Sequence, residues 1–224
     1  MRRPHAETGE VRGGGPGHAP ASLLLLLVPI LFLVAGTASA GCLQEVPICY
    51  GYGCRHTGWL PVDEGRCTAL ERWMASARDA ASERERLAGA IALLESWAAL
   101  HVPVGEDLAG SYPWGGLPGQ QDCIDESLNT DRFLRLLDEA GLLRWHRPAG
   151  RQRRAPRLVD VHWTAVIRER ATGRSYAVDS WLRDNGEAAV ILPLEAWREA
   201  EPPSDRPLSG RSERRWSEIW QEEE

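Results

Sequence analysis

With 224 residues and a formal net charge of -6, the chain has room for a leader and one domain of ordinary size. Its 26 basic side chains are all arginine, since no lysine occurs, and 32 carboxylates outnumber them. That balance argues against a nucleic-acid partner, which calls for a basic excess or patch that tracks phosphates.

Residues 22–35 form an apolar run behind an arginine-bearing, Gly/Pro-rich start and end in Ala38-Ser39-Ala40, a small-residue cleavage pattern. The dense apolar core is short and contains Pro29, so residues 1–40 are expected to be a secretory signal peptide rather than a spanning helix. The expected location is exported and periplasmic. Membrane contact is expected only through this N-terminal segment, either by an uncleaved leader or by acylation of Cys42, because Ser39-Ala40-Gly41-Cys42 partly resembles a lipobox. Cleavage after Ala40 leaves Cys42, Cys49, Cys54, Cys67 and Cys123. The first four can make two disulfides in an oxidising compartment, with three pairings open and Cys123 unpaired. That parity favours the soluble form.

Residues 41–66 are rich in Cys, Gly and aromatics and lack a helical period, which predicts a stapled, irregular segment. Zinc binding by Cys49, Cys54, His56 and Cys67 is the alternative, but their layout fits zinc ribbons poorly. Residues 67–101 read as a helical scaffold. Leu70, Trp73, Met74 and Ala77 share one face, and Ser82 with Glu85 reads as a capping box for a second helix carrying Leu87, Ile91, Leu94 and Ala98. The run Glu83-Arg84-Glu85-Arg86 is expected on a solvated face.

The remaining domain spans 102–200. It opens with a Gly/Pro-rich loop to residue 121 that carries Trp114, Gln120 and Gln121. Asp122 is a good N-cap, Asp125 and Glu126 follow in the first turn, and Ile124, Leu128, Leu134, Leu137 and Ala140 recur at roughly helical spacing up to Gly141. Cys123 therefore falls at the first helical position, where unpaired N–H groups favour a thiolate, opposed in part by the nearby carboxylates. Residues 144–157 form an arginine-rich linker, expected to be a solvated mobile loop or a flap favouring acidic substrate segments, and His146 in it receives no role. Leu158–Glu169, Ser175–Leu182 and Ala188–Leu192 then read as an antiparallel meander, followed by a short helix over 193–199 and a polar, poorly ordered tail over 201–224.

Cys123, His162 and Asp179 stand in the order helix start, strand, next strand. A cysteine nucleophile needs a base within hydrogen-bond reach, and the base needs a third group to fix its tautomer. A tight turn at Thr172-Gly173 would set Asp179 opposite Val166, leaving His162 roughly 13 Å along the strand. A longer loop would set His162 and Asp179 directly opposite. Both registers keep the two side chains on one face, and a one-residue slip would separate them. Candidates to stabilise a developing oxyanion are the Trp114 indole and the Gln120 and Gln121 amides, assisted by the Cys123 N–H.

Gln-Asp-Cys-Ile-Asp-Glu-Ser at a helix start, His162-Trp163-Thr164-Ala165-Val166-Ile167 and Tyr176-Ala177-Val178-Asp179-Ser180-Trp181 together resemble the transglutaminase-like branch of the papain-like cysteine peptidases. The short Cys-to-His interval and the leader are similar to those of bacterial periplasmic members. The resemblance covers roughly residues 110–195. It implies an α+β papain-like/transglutaminase-like fold, with a catalytic Cys at a helix N-terminus packed on a small antiparallel β-meander, to which the N-terminal helices, without counterpart in the family pattern, are extra. It also implies Cys123 as nucleophile, His162 as base and Asp179 as orienter. The expected partner is a protein or peptide substrate in the envelope, and no cofactor or metal is expected. Hydrolysis is the default chemistry. Amide crosslinking is the alternative within the class, a non-catalytic envelope binding or structural protein the alternative outside it, and metal binding by the three residues a weaker third.

Overall fold

The structure is a computed structural model that describes residues 41–110, 117–155 and 161–200. The leader, Trp114, the start of the first expected strand and the 201–224 tail lie outside these residues. Among them stand four helices and two antiparallel sheets, an α+β arrangement. No helix among them is long and apolar enough to cross a membrane.

The N-terminal segment is a regular hairpin rather than an irregular staple. Strands β1 (Gln44–Tyr50) and β2 (His56–Val62) pair along their whole length, burying Val46, Ile48, Leu60 and Val62. Pro47 and the cysteines hide this alternation from a sequence pattern, because neither is typical of a strand. At the tip Gly51, Tyr52, Gly53 and Cys54 all adopt positive φ, a left-handed run that two glycines make accessible. Disulfides join Cys49 to Cys54 across that tip and Cys42 to Cys67 at the opposite, open end of the hairpin. Three of the four expected zinc ligands are thereby spent as disulfide sulfurs. Cys42 in this linkage has no thiol to acylate, so the lipobox and this pairing exclude each other.

Helix α1 (Glu64–Ala75) is capped by Asp63, and α2 (Ala80–Ala98) by Asp79, three residues earlier than the expected Ser82 cap. Ser82 instead closes the box as the third helical residue, its hydroxyl accepting from Asp79 N at 3.0 Å. Gly89 makes room where the helices meet: a Cβ there would lie 2.4 Å from the Trp73 ring. Glu83 is fully buried, not solvated.

Helix α3 (Cys123–Glu139) begins where the cap predicted, but its two halves differ. Phe133, Leu134, Leu136 and Leu137 enter the main core, whereas the first two turns bury Asp125, Glu126, Ser127, Asn129 and Thr130. Against α3 lies a four-stranded antiparallel sheet in the order β3 (His146–Arg154), β4 (His162–Glu169), β5 (Ser175–Asp179), β6 (Val190–Pro193). Strand β3 occupies the stretch expected to be a linker, with a bulge between Pro148 and Arg151. Ala165, Ile167, Tyr176 and Val178 join the core beside α3. Val166 and Ala177 form a second cluster with Leu194 and Trp197 of α4 (Leu194–Glu199).

Candidate active site

Cys123 is the first residue of α3. The Asp122 carboxylate accepts from Ile124 N and Asp125 N at 3.0 and 2.9 Å, which satisfies two of the helix start's unpaired donors and fixes the entry of the chain. The sulfur lies against the backbone on either side of His162: the thiol donates to Val161 O at 3.8 Å, and the Trp163 N–H is directed at it. The residue is 6% exposed. Burial pushes its thiol up to about 11, with Asp122 and Asp179 adding to the rise and the Trp163 amide opposing it. This is the reverse of what a helix start alone implies, because desolvation of a thiolate outweighs a few oriented N–H groups. Around the sulfur is a cavity of about 170 Å³ whose walls include Tyr52, Ile124, Trp163 and Trp181.

His162 and Asp179 meet. The β4–β5 ladder pairs Ala165 with Val178, so its continuation sets Asp179 opposite Thr164, midway between the two registers weighed from sequence. The residues are therefore diagonal neighbours on one face, a separation that their side chains span. His162 Nε2 lies 2.6 Å from Asp179 Oδ2, and both residues are buried. The same oxygen accepts from Trp197 Nε1 at 2.7 Å. Trp181 and Trp197 lie against the imidazole with ring centroids 4.7 and 5.6 Å away. With Nε2 committed to the carboxylate, the ring's remaining nitrogen is Nδ1, which is buried without a hydrogen-bond partner. No hydrogen bond joins sulfur and ring. The three residues thus come to one end of the sheet, with the His–Asp contact made and the Cys–His contact open.

The two glutamines are placed elsewhere. Gln120 Nε2 donates to Glu106 O at 2.6 Å and its Oε1 accepts from Leu108 N, while Gln121 Nε2 donates to Cys49 O at 2.8 Å. These amides tie the loop before α3 to the scaffold, and neither lines the Cys123 cavity. Trp114 is outside the described residues. Among the described residues of the expected donor set, the Cys123 N–H stands at the first position of α3.

Three features escaped the sequence. The hairpin tip docks on α3 through backbone amides: Tyr52 N and Cys54 N donate to Asp125, and Gly53 N donates to Asp122 at 3.0 Å, which brings Tyr52 to the cavity. Successive left-handed residues point their N–H groups to one side and form an anion cradle. Burial, followed by the Asp122 charge, still pushes Asp125 up to about 6. Beneath the same turn Glu126 accepts from Ser180 Oγ at 2.5 Å and shares a hydrogen bond with Asp107, whose Oδ1 accepts from Gln121 N at 2.7 Å. Burial pushes Glu126 up to about 7 and Asp107 well above the carboxylate range, as suits two carboxyls sharing a proton. The third is Trp197 as a donor to Asp179. Only the positive-φ glycines at the tip had a sequence signal. Compared with family models, curated proteins and solved structures, the chain matches none.

Proposed function

We propose that the chain is an exported thiol acyl-transfer enzyme of cysteine peptidase or amidase type, in which Cys123 attacks a peptide or amide carbonyl. The observation that carries this is the buried His162–Asp179 pair, whose remaining nitrogen has no partner, set where the Cys123 sulfur packs on the peptide groups flanking His162. With the Nε2 proton shared with Asp179, Nδ1 bears the lone pair and is the atom able to accept the thiol proton. A thiol titrating near 11 is almost wholly protonated at neutral pH. Proton removal then accompanies attack instead of preceding it, once the sulfur leaves Val161 O and turns to Nδ1. The imidazolium returns the proton to the leaving amine. Water resolves the thioester in hydrolysis, and a substrate amine would do so in crosslinking. Its test is incubation of wild type and Cys123→Ala with a peptide library, read by mass spectrometry for new termini or new isopeptide bonds. Equal products from both proteins, or none from wild type, would sink the proposal.

A second reading, a non-catalytic envelope binding or structural protein, is favoured by the same sulfur being 6% exposed and not bonded to the ring. Alkylation by iodoacetamide separates the two. An idle thiol gains reactivity only as pH climbs towards 11, with no dependence on His162. A base-assisted thiol reacts at pH 7, and His162→Ala slows it.

A further inference from the structure

One wall of the Cys123 cavity belongs to Trp163, whose indole projects from β4. The Arg151 guanidinium lies over that ring, 4.9 Å from its centroid, and Nη1 donates to Ser127 Oγ at 3.2 Å, one turn of α3 beyond Cys123. Arg153 is paired with Trp163 across the β3–β4 ladder and Arg151 with Ala165, so both arginines share the indole's face of the sheet. Among the described residues neither has an ion-pair partner. Asp131 accepts from Arg135 at 2.9 Å through Oδ2, and its charge offsets part of that of Arg132. A third cation is close: burial first, and then the Arg151 charge, lower the pKa of Arg132. In a chain of net charge -6, this is a cluster of positive side chains on the Trp163 side of the Cys123 cavity.

The arrangement has a direction. Asp122 lines the same cavity at the helix start and disfavours an anion there, whereas the Trp163 side favours one. Ser127 takes one of the donors of Arg151, and stacking on the indole fixes the plane of the guanidinium. The rest of its fork is left to engage a planar, two-oxygen acceptor. We infer that Arg151 and Arg153 form a carboxylate-binding subsite on the Trp163 wall, so that the substrate acylating Cys123 carries a carboxylate next to the reacting carbonyl. This rests on Cys123 being the nucleophile proposed above. The carboxylate comes either from an acidic side chain or from a chain terminus.

The test compares alkylation of Cys123 in the full chain by iodoacetate and by iodoacetamide, two reagents of similar size that differ in charge. The ratio of their rate constants is normalised to that of N-acetylcysteine amide. In wild type the normalised ratio is expected above one. It should fall by about two- to threefold in Arg151→Gln and in Arg153→Gln, the order of one solvent-screened charge–charge interaction. Arg151→Lys should restore part of it, and added salt should shrink it. Arg174→Gln, in the turn between β4 and β5, is the net-charge control and should leave the ratio unchanged. Circular dichroism confirms that each variant is folded. Protection of Cys123 from iodoacetamide then identifies the source: acetyl-Ala-Glu-Ala amide offers a side-chain carboxylate and acetyl-Ala-Ala-Ala a terminal one, with acetyl-Ala-Gln-Ala amide as the neutral control.

An unchanged ratio in both arginine variants overturns the subsite. So does an equal drop in Arg174→Gln, equal protection by the neutral peptide, or failure of either reagent to reach Cys123. Loss of the anionic preference with His162-dependent hydrolysis intact removes the subsite alone. A preference kept by a protein that hydrolyses nothing removes the enzyme alone.

Discussion

Among the described residues stand two buried histidine–carboxylate pairs of almost equal length, and they are finished differently. His146 Nδ1 lies 2.7 Å from Glu83 Oε1, and His162 Nε2 lies 2.6 Å from Asp179 Oδ2. In the first pair every valence is used. Glu83 also accepts from the amides of Arg144, Trp145 and His146, and the second nitrogen of His146 faces Arg84 Nη1 at 3.2 Å. In the second pair His162 Nδ1 and Asp179 Oδ1 have no partner. A buried polar atom left unpaired costs free energy, typically about 1–3 kcal/mol. The contrast teaches that length and burial do not tell the pairs apart. What does is the ring nitrogen left without a partner in the His162 pair and occupied in the His146 pair.

The largest expected effect divides the pairs by what each loses. His162→Ala should lower the rate of Cys123-dependent hydrolysis by roughly 10²–10⁴-fold, the usual share of a general base. His146→Ala should leave the rate per folded molecule unchanged and lower the melting temperature. Steady-state kinetics beside thermal unfolding separates them, and a reversed pattern would assign the working pair to His146.

Stability should show the next effect. Glu83→Ala removes the acceptor of three amides and a ring N–H, and breaking a buried pair in this way costs about 3–5 kcal/mol in urea unfolding. The pH dependence follows from its titration. Burial raises the Glu83 pKa, but the His146 ring and the Arg144 and Trp145 amides outweigh it, and the net direction is down. A lowered folded value means that this stability is present above the unfolded carboxyl value and is lost as pH falls through the folded one. Wild type should therefore weaken on the acid side, and Glu83→Ala should flatten that limb.

The smallest effect sharpens the contrast at its least occupied point. Trp197→Phe keeps a ring beside His162 but removes the second hydrogen bond to Asp179, worth about 1.5–3 kcal/mol for a charged acceptor. Activity should fall by about tenfold in steady-state kinetics. An unaltered rate would leave Trp197 as packing only.

Much of this was legible in the residues. Asp122 and the acids after it announce the start of α3, because a helix entrance has unpaired donors that few side chains satisfy. Alternation from His162 to Ile167 fixed which residues share a face, and parity alone kept His162 and Asp179 together. Strand β3 was not legible: its arginines, Pro148 and Gly150 have poor strand propensity, and the ladder with β4 overrides it. The direction of a side chain was not legible either. Gln120 and Gln121 stand beside Cys123 in sequence, yet their amides turn to Glu106 and Cys49. The second partner of Asp179 comes from a helix eighteen residues later, and no local pattern reports such a bond.

The hairpin tip at Tyr52 carries a practical consequence. A cavity wall for one sulfur is kept in place by a bridge between two others, Cys49 and Cys54. Dithiothreitol added to an assay to protect residue 123 therefore attacks the bridge as well. Its dose curve should rise and then fall, and a Cys49→Ser, Cys54→Ser protein should lack the fall. Oxidative damage and over-reduction would then silence the protein by opposite routes, leaving it a narrow window of redox conditions in which to work.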